Sequence, residues 1–135
     1  MSLLPPSLSL RAVLLFDAAT CAAMGGALTL ARWPLGGWTG LPPGLLLGAG
    51  LALLAIAALI AAIAARTPVR PGGAWLVILG NAAWVAGSLA LLAPKILAPN
   101  ALGVAFVAVQ AIAVAAIALA EFALLRRAGQ QPQPA

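Results

Sequence analysis

Histidine and tyrosine are absent from this chain of 135 residues, and cysteine and the two acidic amino acids together supply three positions: Asp17, Cys21 and Glu121. Without imidazole or phenolate, the usual side-chain ligands of zinc and haem are missing, and a single cysteine closes no intrachain disulfide. Neither a cofactor nor a bound metal is expected. Nor is an enzyme. Hydrolases and transferases need a nucleophile beside its base, a metal cluster or a carboxyl pair, and only Asp17 with Glu121 could form the last of these. Charge as a whole is scarce, at 7% of residues. The seven basic residues all lie outside the apolar runs, so the net charge of +5 marks membrane flanks and no nucleic-acid partner is expected.

What the chain has in abundance is hydrocarbon. A hydrophobic content of 64% and a mean hydropathy of +1.14 leave too little polar surface to cover a water-soluble globule. Four segments, at about 12–31, 44–65, 74–93 and 101–125, are long enough for the roughly 20 helical residues that cross a bilayer. Three stretches rich in proline and glycine separate them: RWPLGGWTGLPPG, RTPVRPGG and APKILAPN. Asn100 is placed to cap the last segment, and residues 1–10 and 126–135 read as flexible tails. The expected architecture is a single all-α domain, an integral membrane bundle of four transmembrane helices without internal repeats. Arg11 followed by AVLLF opens like the apolar core of a signal peptide, but Asp17 interrupts that run and no cleavage before Cys21 is expected.

An even number of spans puts both termini and the second loop on one side of the membrane. That side collects Arg11, Arg66, Arg70, Arg126 and Arg127, and the other has Arg32 and Lys95. The imbalance predicts that both termini are cytoplasmic. Trp33, Trp38 and Trp75 fall at span ends, as interfacial anchors do. Trp84 differs: it lies roughly 15 Å into the third span at 1.5 Å per residue, where its indole N–H needs a partner.

Asp17 sits inside the first apolar run. A carboxylate at the centre of a spanning helix costs about 2.5–3.5 kcal/mol, against about 0.3–0.6 returned by each strong apolar residue. The first span holds about six such residues, so its insertion is marginal and the second span is expected to carry it in as a hairpin. Counted from the arginine-rich side, Asp17, Asn81 and Glu121 all lie roughly 6–11 Å deep. Thr20 and Cys21 share the face of Asp17, Asn81, Trp84 and Ser88 line one stripe of the third span, and Gln110 and Glu121 are three turns apart on the fourth. These stripes converge if Asn81 donates to one carboxylate while the other is protonated, since two acids close together in low dielectric do not both ionise readily.

Each residue also has a plainer reading. Glu121 is near enough to the boundary to snorkel and pair with Arg126 or Arg127, and Asp17 to reach Arg11 or water. Asn81, Ser88 and Gln110 are the kind of residue that joins neighbouring helices by hydrogen bonds, and Cys21 the kind that fills space. Lipid tails give helices no hydrophobic reason to associate, so close packing is expected at small residues. These are Ala18, Ala22 and Gly26 on the first span, Gly44, Gly48 and Ala52 on the second, and Gly80 and Gly87 on the third.

Short loops and the absence of a soluble segment point first to a non-enzymatic membrane protein that works by helix association, as an accessory subunit or a homo-oligomer. Its partners would be the lipid bilayer and another membrane protein or a second copy. The alternative is a small proton-coupled transporter in which Asp17 titrates, with Asn81, Trp84, Gln110 and Glu121 as further binding or proton-linked candidates. Four short helices with one embedded acid in the first resemble the small multidrug resistance transporters in architecture, which implies an antiparallel dimer. That family's acid is a glutamate, its tyrosines are missing here, and NAAWVAGS stands in place of its Trp-Ser-Gly signature. LFDAA, GLPPGLLLGAGLALL, NAAW and ALGVAFVAVQAIAV together resemble small four-helix proteins of the bacterial inner membrane. That likeness implies a fold and a location, and no mechanism.

Overall fold

A computed structural model describes residues 4–94 and 96–130. Lys95, counted above for orientation, and the extreme termini at 1–3 and 131–135 lie outside the described residues. Five helices follow one another: α1 Leu10–Leu30, α2 Arg32–Thr39, α3 Pro43–Ala65, α4 Pro71–Leu91 and α5 Ala101–Gln130. Four of them, α1, α3, α4 and α5, are long and apolar enough to cross a membrane.

The helix ends follow local chemistry. Ser9 opens α1 by accepting the Ala12 amide at 3.1 Å. Pro43 and Pro71 start α3 and α4 at positions where a missing N–H costs nothing. Asn100 caps α5, its Oδ1 accepting the Gly103 N–H at 2.9 Å. Two expectations are corrected here. α5 continues to Gln130, so 126–130 are helical, and Arg127 ties the chain start to this helix by donating to the carbonyls of Leu4 and Pro5 at 3.2 and 3.1 Å. The first interruption is also not a simple loop, because RWPLGGWT folds as α2. Pro34 falls in its first turn, where no intrahelical donor is needed, and Gly40 closes it in the left-handed conformation at φ 74°. Trp33 and Trp38 project from this short helix with 68% and 63% of their surface exposed.

The spans pack as two pairs. α1 lies along α3 and α4 along α5, whereas α3 and α4, although consecutive, hardly touch. The first pair meets backbone to backbone: a Cβ on Gly25 would stand 2.8 Å from the Gly50 carbonyl oxygen, and one on Gly50 would meet the Thr29 side chain at 2.5 Å. This corrects the expected packing positions. Gly26, Gly44, Gly48, Gly80 and Gly87 have open space where a Cβ would be, and Ala22 and Ala52 are exposed. Arg11 locks the arginine-rich end of the same pair by donating to the carbonyls of Ala64 and Arg66 at 2.8 and 2.6 Å and to Thr67 Oγ1 at 3.1 Å. At the opposite end α2 meets the start of α5. The Asn100 backbone N–H donates to the Thr39 carbonyl at 3.1 Å, its side chain to the Trp38 carbonyl at 2.8 Å, and Gly103 presses on the Thr39 carbonyl so closely that no side chain fits there.

Candidate intramembrane polar site

The buried face of α1 runs through Val13, Leu14, Asp17, Ala18, Cys21, Gly25 and Leu28, the three- and four-residue steps of one helix side. Asp17 belongs to that face by position and is turned inward with it, 1% exposed. Asn81 occupies the corresponding side of α4 after Ala74, Val77 and Ile78, and Glu121 that of α5 with Leu124. The three polar side chains meet between the pairs. The Asn81 amide nitrogen donates to Asp17 Oδ2 at 2.8 Å and to Glu121 Oε2 at 3.1 Å, so its two hydrogens serve two carboxyls from two different helices. Cys21, one turn along α1, places its thiol 3.5 Å from Asp17 Oδ1.

Glu121 therefore does not snorkel. It is fully buried, while Arg126 stacks over the Phe122 ring at 5.7 Å and Arg127 reaches the chain start. Arg11 is likewise committed to the end of α3 and not to Asp17. The second carboxyl oxygen of Glu121 is buried without a hydrogen-bond partner. Asn81 to Asp17 joins one helix pair to the other, and Glu121 lies against Asp17 across the same seam.

Trp84 and Gln110 form a second polar contact deeper in the membrane. The indole N–H of Trp84 donates to Gln110 Oε1 at 3.0 Å, and Gln110 in turn donates to the Val107 carbonyl at 2.9 Å. Ser88, on the same stripe of α4, is buried but joins neither group. The stripe thus divides: Asn81 enters the carboxyl cluster, Trp84 pairs with Gln110, and Ser88 faces a cleft.

Loose contact between the pairs leaves two large clefts and a smaller cavity of about 140 Å³ beside Cys21, Val77 and Asn81. One, of about 550 Å³, lies between α1 and α5 and reaches Asp17, Thr20 and Cys21 past Phe16 and Phe106. The other, of about 660 Å³, lies between α3 and α4. Met24, Leu53, Trp84, Phe106 and Gln110 border both. Composition missed Thr29, whose hydroxyl is buried without a hydrogen-bond partner against Gly50. The signal for that position was a glycine on a neighbouring helix, which one helix read alone does not display.

The protein is all-helical, and its four long apolar helices, by length and composition, suggest a multi-pass membrane protein. No family model matches the chain, and neither the comparison with curated proteins nor that with solved structures gives a match.

Proposed function

We propose that this chain is a small proton-coupled membrane transporter without enzymatic activity, in which Asp17 and Glu121 share an exchangeable proton and Asn81 holds them in place. The observation that carries the reading is a pair of enclosed carboxyls served by one amide, with no arginine or lysine side chain bonded to the cluster among the described residues. Two carboxyls brought to one amide in low dielectric release their charge repulsion by taking up a proton, which the pair holds in common. The cleft between α1 and α5 gives a small organic cation a route to Asp17 past the faces of Phe16 and Trp84. Substrate and proton then compete for one site. The position of the arginines supports termini on the cytoplasmic side of a bacterial inner membrane.

Proton release tests this. Detergent-solubilised protein in weak buffer should acidify the medium on addition of a quaternary ammonium compound or a lipophilic amine. Asp17→Asn and Glu121→Gln should abolish the signal. Release of equal size from Asp17→Asn, or none from the native chain with any such cation, would sink the proposal. Orientation is separable: a cysteine placed in the C-terminal tail of a Cys21→Ala chain should resist impermeant maleimides added outside intact cells.

One observation favours association as a second reading. Gly44 and Gly48 on α3 and Gly80 and Gly87 on α4 leave open space where a Cβ would stand. Surfaces of small residues admit the close approach of another helix, as in an accessory subunit or a homo-oligomer. Crosslinking in native membranes distinguishes the two, because a subunit gives a stoichiometric partner and a self-sufficient transporter does not.

A further inference from the structure

We propose that the cleft between α3 and α4 is a binding site for an uncharged, chain-bearing molecule with a carbonyl group, either an ester lipid or a prenylated quinone. The inference does not rest on the proton-linked reading, although Met24, Leu53, Trp84, Phe106 and Gln110 border both clefts.

Its volume of about 660 Å³ falls within the range of about 300–1,000 Å³ that small-molecule sites occupy. Shape comes from glycine. Gly44 and Gly48 face the cleft from α3 and Gly80 and Gly87 from α4, all with open space at the Cβ position. Between them runs a smooth channel walled by Leu45, Ala49 and Leu91. Such a surface accepts an unbranched or isoprenoid chain along its length. Among the described residues no charged side chain lines the cleft, which disfavours an ionic headgroup in its interior.

The polar groups define the other end of the ligand. Ser88 is 8% exposed, lines the cleft and makes no hydrogen bond among the described residues. In a helix surrounded by hydrocarbon, a hydroxyl in that condition lacks the partner that buried polar groups normally have. Gln110, one of the same lining residues, has spent its oxygen on Trp84 and one N–H on Val107, leaving a second N–H uncommitted. The free Gln110 N–H can only donate and the Ser88 hydroxyl can donate beside it, so an uncharged acceptor satisfies both, and a carbonyl with its two lone pairs is the one we assign. Trp84 and Phe106 supply flat apolar surface beside it, suited to a ring or to the first carbons of a chain.

Trp84 also supplies the readout. A chain carrying Trp33→Phe, Trp38→Phe and Trp75→Phe retains it as the single indole. In detergent micelles this protein is titrated with a short-chain benzoquinone and, separately, with a brominated fatty ester, both of which quench indole fluorescence on contact. Saturable quenching is expected with at least one probe, and the probe that saturates identifies the source. Gly87→Leu starts from a Cβ position with open space, projects into the channel and should raise the apparent Kd tenfold or more, and Gly80→Leu should do the same should Gly87→Leu fail to fold. Ser88→Ala should weaken binding several-fold. Quenching that rises linearly with both probes, or that is unchanged in the glycine variants, would overturn the site. Saturable quenching indifferent to Ser88→Ala would overturn the carbonyl assignment.

Discussion

α1 and α3 are held together by the absence of side chains, and the two helix pairs by the presence of polar ones. Gly25 and Gly50 let two backbones touch, and Leu14, Ile60 and Ala64 continue the buried seam toward the arginine-rich end. Between the pairs no such fit exists. α3 and α4 leave a channel, and Asp17, Asn81 and Glu121 form the hydrogen-bonded crossing. α3 is the most apolar of the spans, yet it packs tightly at a glycine and stands apart from α4 along its leucines. Apolar surface has no reason to leave lipid for protein unless the match is close, so in this molecule shape joins one interface and hydrogen bonding the other.

The contrast can be broken first at its tight side. Gly50→Leu drives a side chain into backbone atoms of α1 and should destabilise the protein by about 3 kcal/mol or more, whereas Gly48→Leu, two residues earlier and facing open space, should stay within about 0.5 kcal/mol. Thermal unfolding in micelles followed by circular dichroism compares them, and equal losses would mean that the glycine crossing is not what holds the pair. Next comes the loose side. Asn81→Leu removes the donor from two buried carboxyls and should cost about 2 kcal/mol by the same measurement, with Asp17→Asn in the Asn81→Leu background recovering part of it. A fully tolerated Asn81→Leu would show that the pairs need no polar link. The smallest change is expected inside the second pair, where Trp84→Phe deletes the bond to Gln110 for about 0.6 kcal/mol, the usual worth of such a bond between membrane helices.

Position along a helix axis is legible in this sequence because rise per residue is constant. The proline and glycine clusters bracket the four long helices, Asn100 stands at the start of α5, and the shared depth of Asp17, Asn81 and Glu121 follows from arithmetic alone. Rotation about the axis is not legible to the same degree. Alanine surrounds almost every face of these helices, so no apolar stripe distinguishes Gly25 from Gly26 or Gly50 from Gly48, and a shift of one or two residues decides which glycine is enclosed. Glu121 was open to two fates for a related reason: its depth allowed it to reach water, and only the placement of Asn81 on α4 turns it inward. α2 was hidden by Pro34 and its glycines, residues that read as a break and are accommodated in a helix of only two turns.

Arg11 grips carbonyl groups that follow Ala64 in the chain and its own helix begins one residue before it, so the clasp spans more than fifty positions of polypeptide. It therefore has a place in the order of biosynthesis. Until the ribosome has delivered Ala64 and Arg66, the guanidinium has no acceptor there, and the opening helix with its internal acid rests on its packing against α3 alone. The earliest moment at which the first half of the molecule can be sealed is the emergence of the turn before α4, which makes that turn the timing mark of assembly.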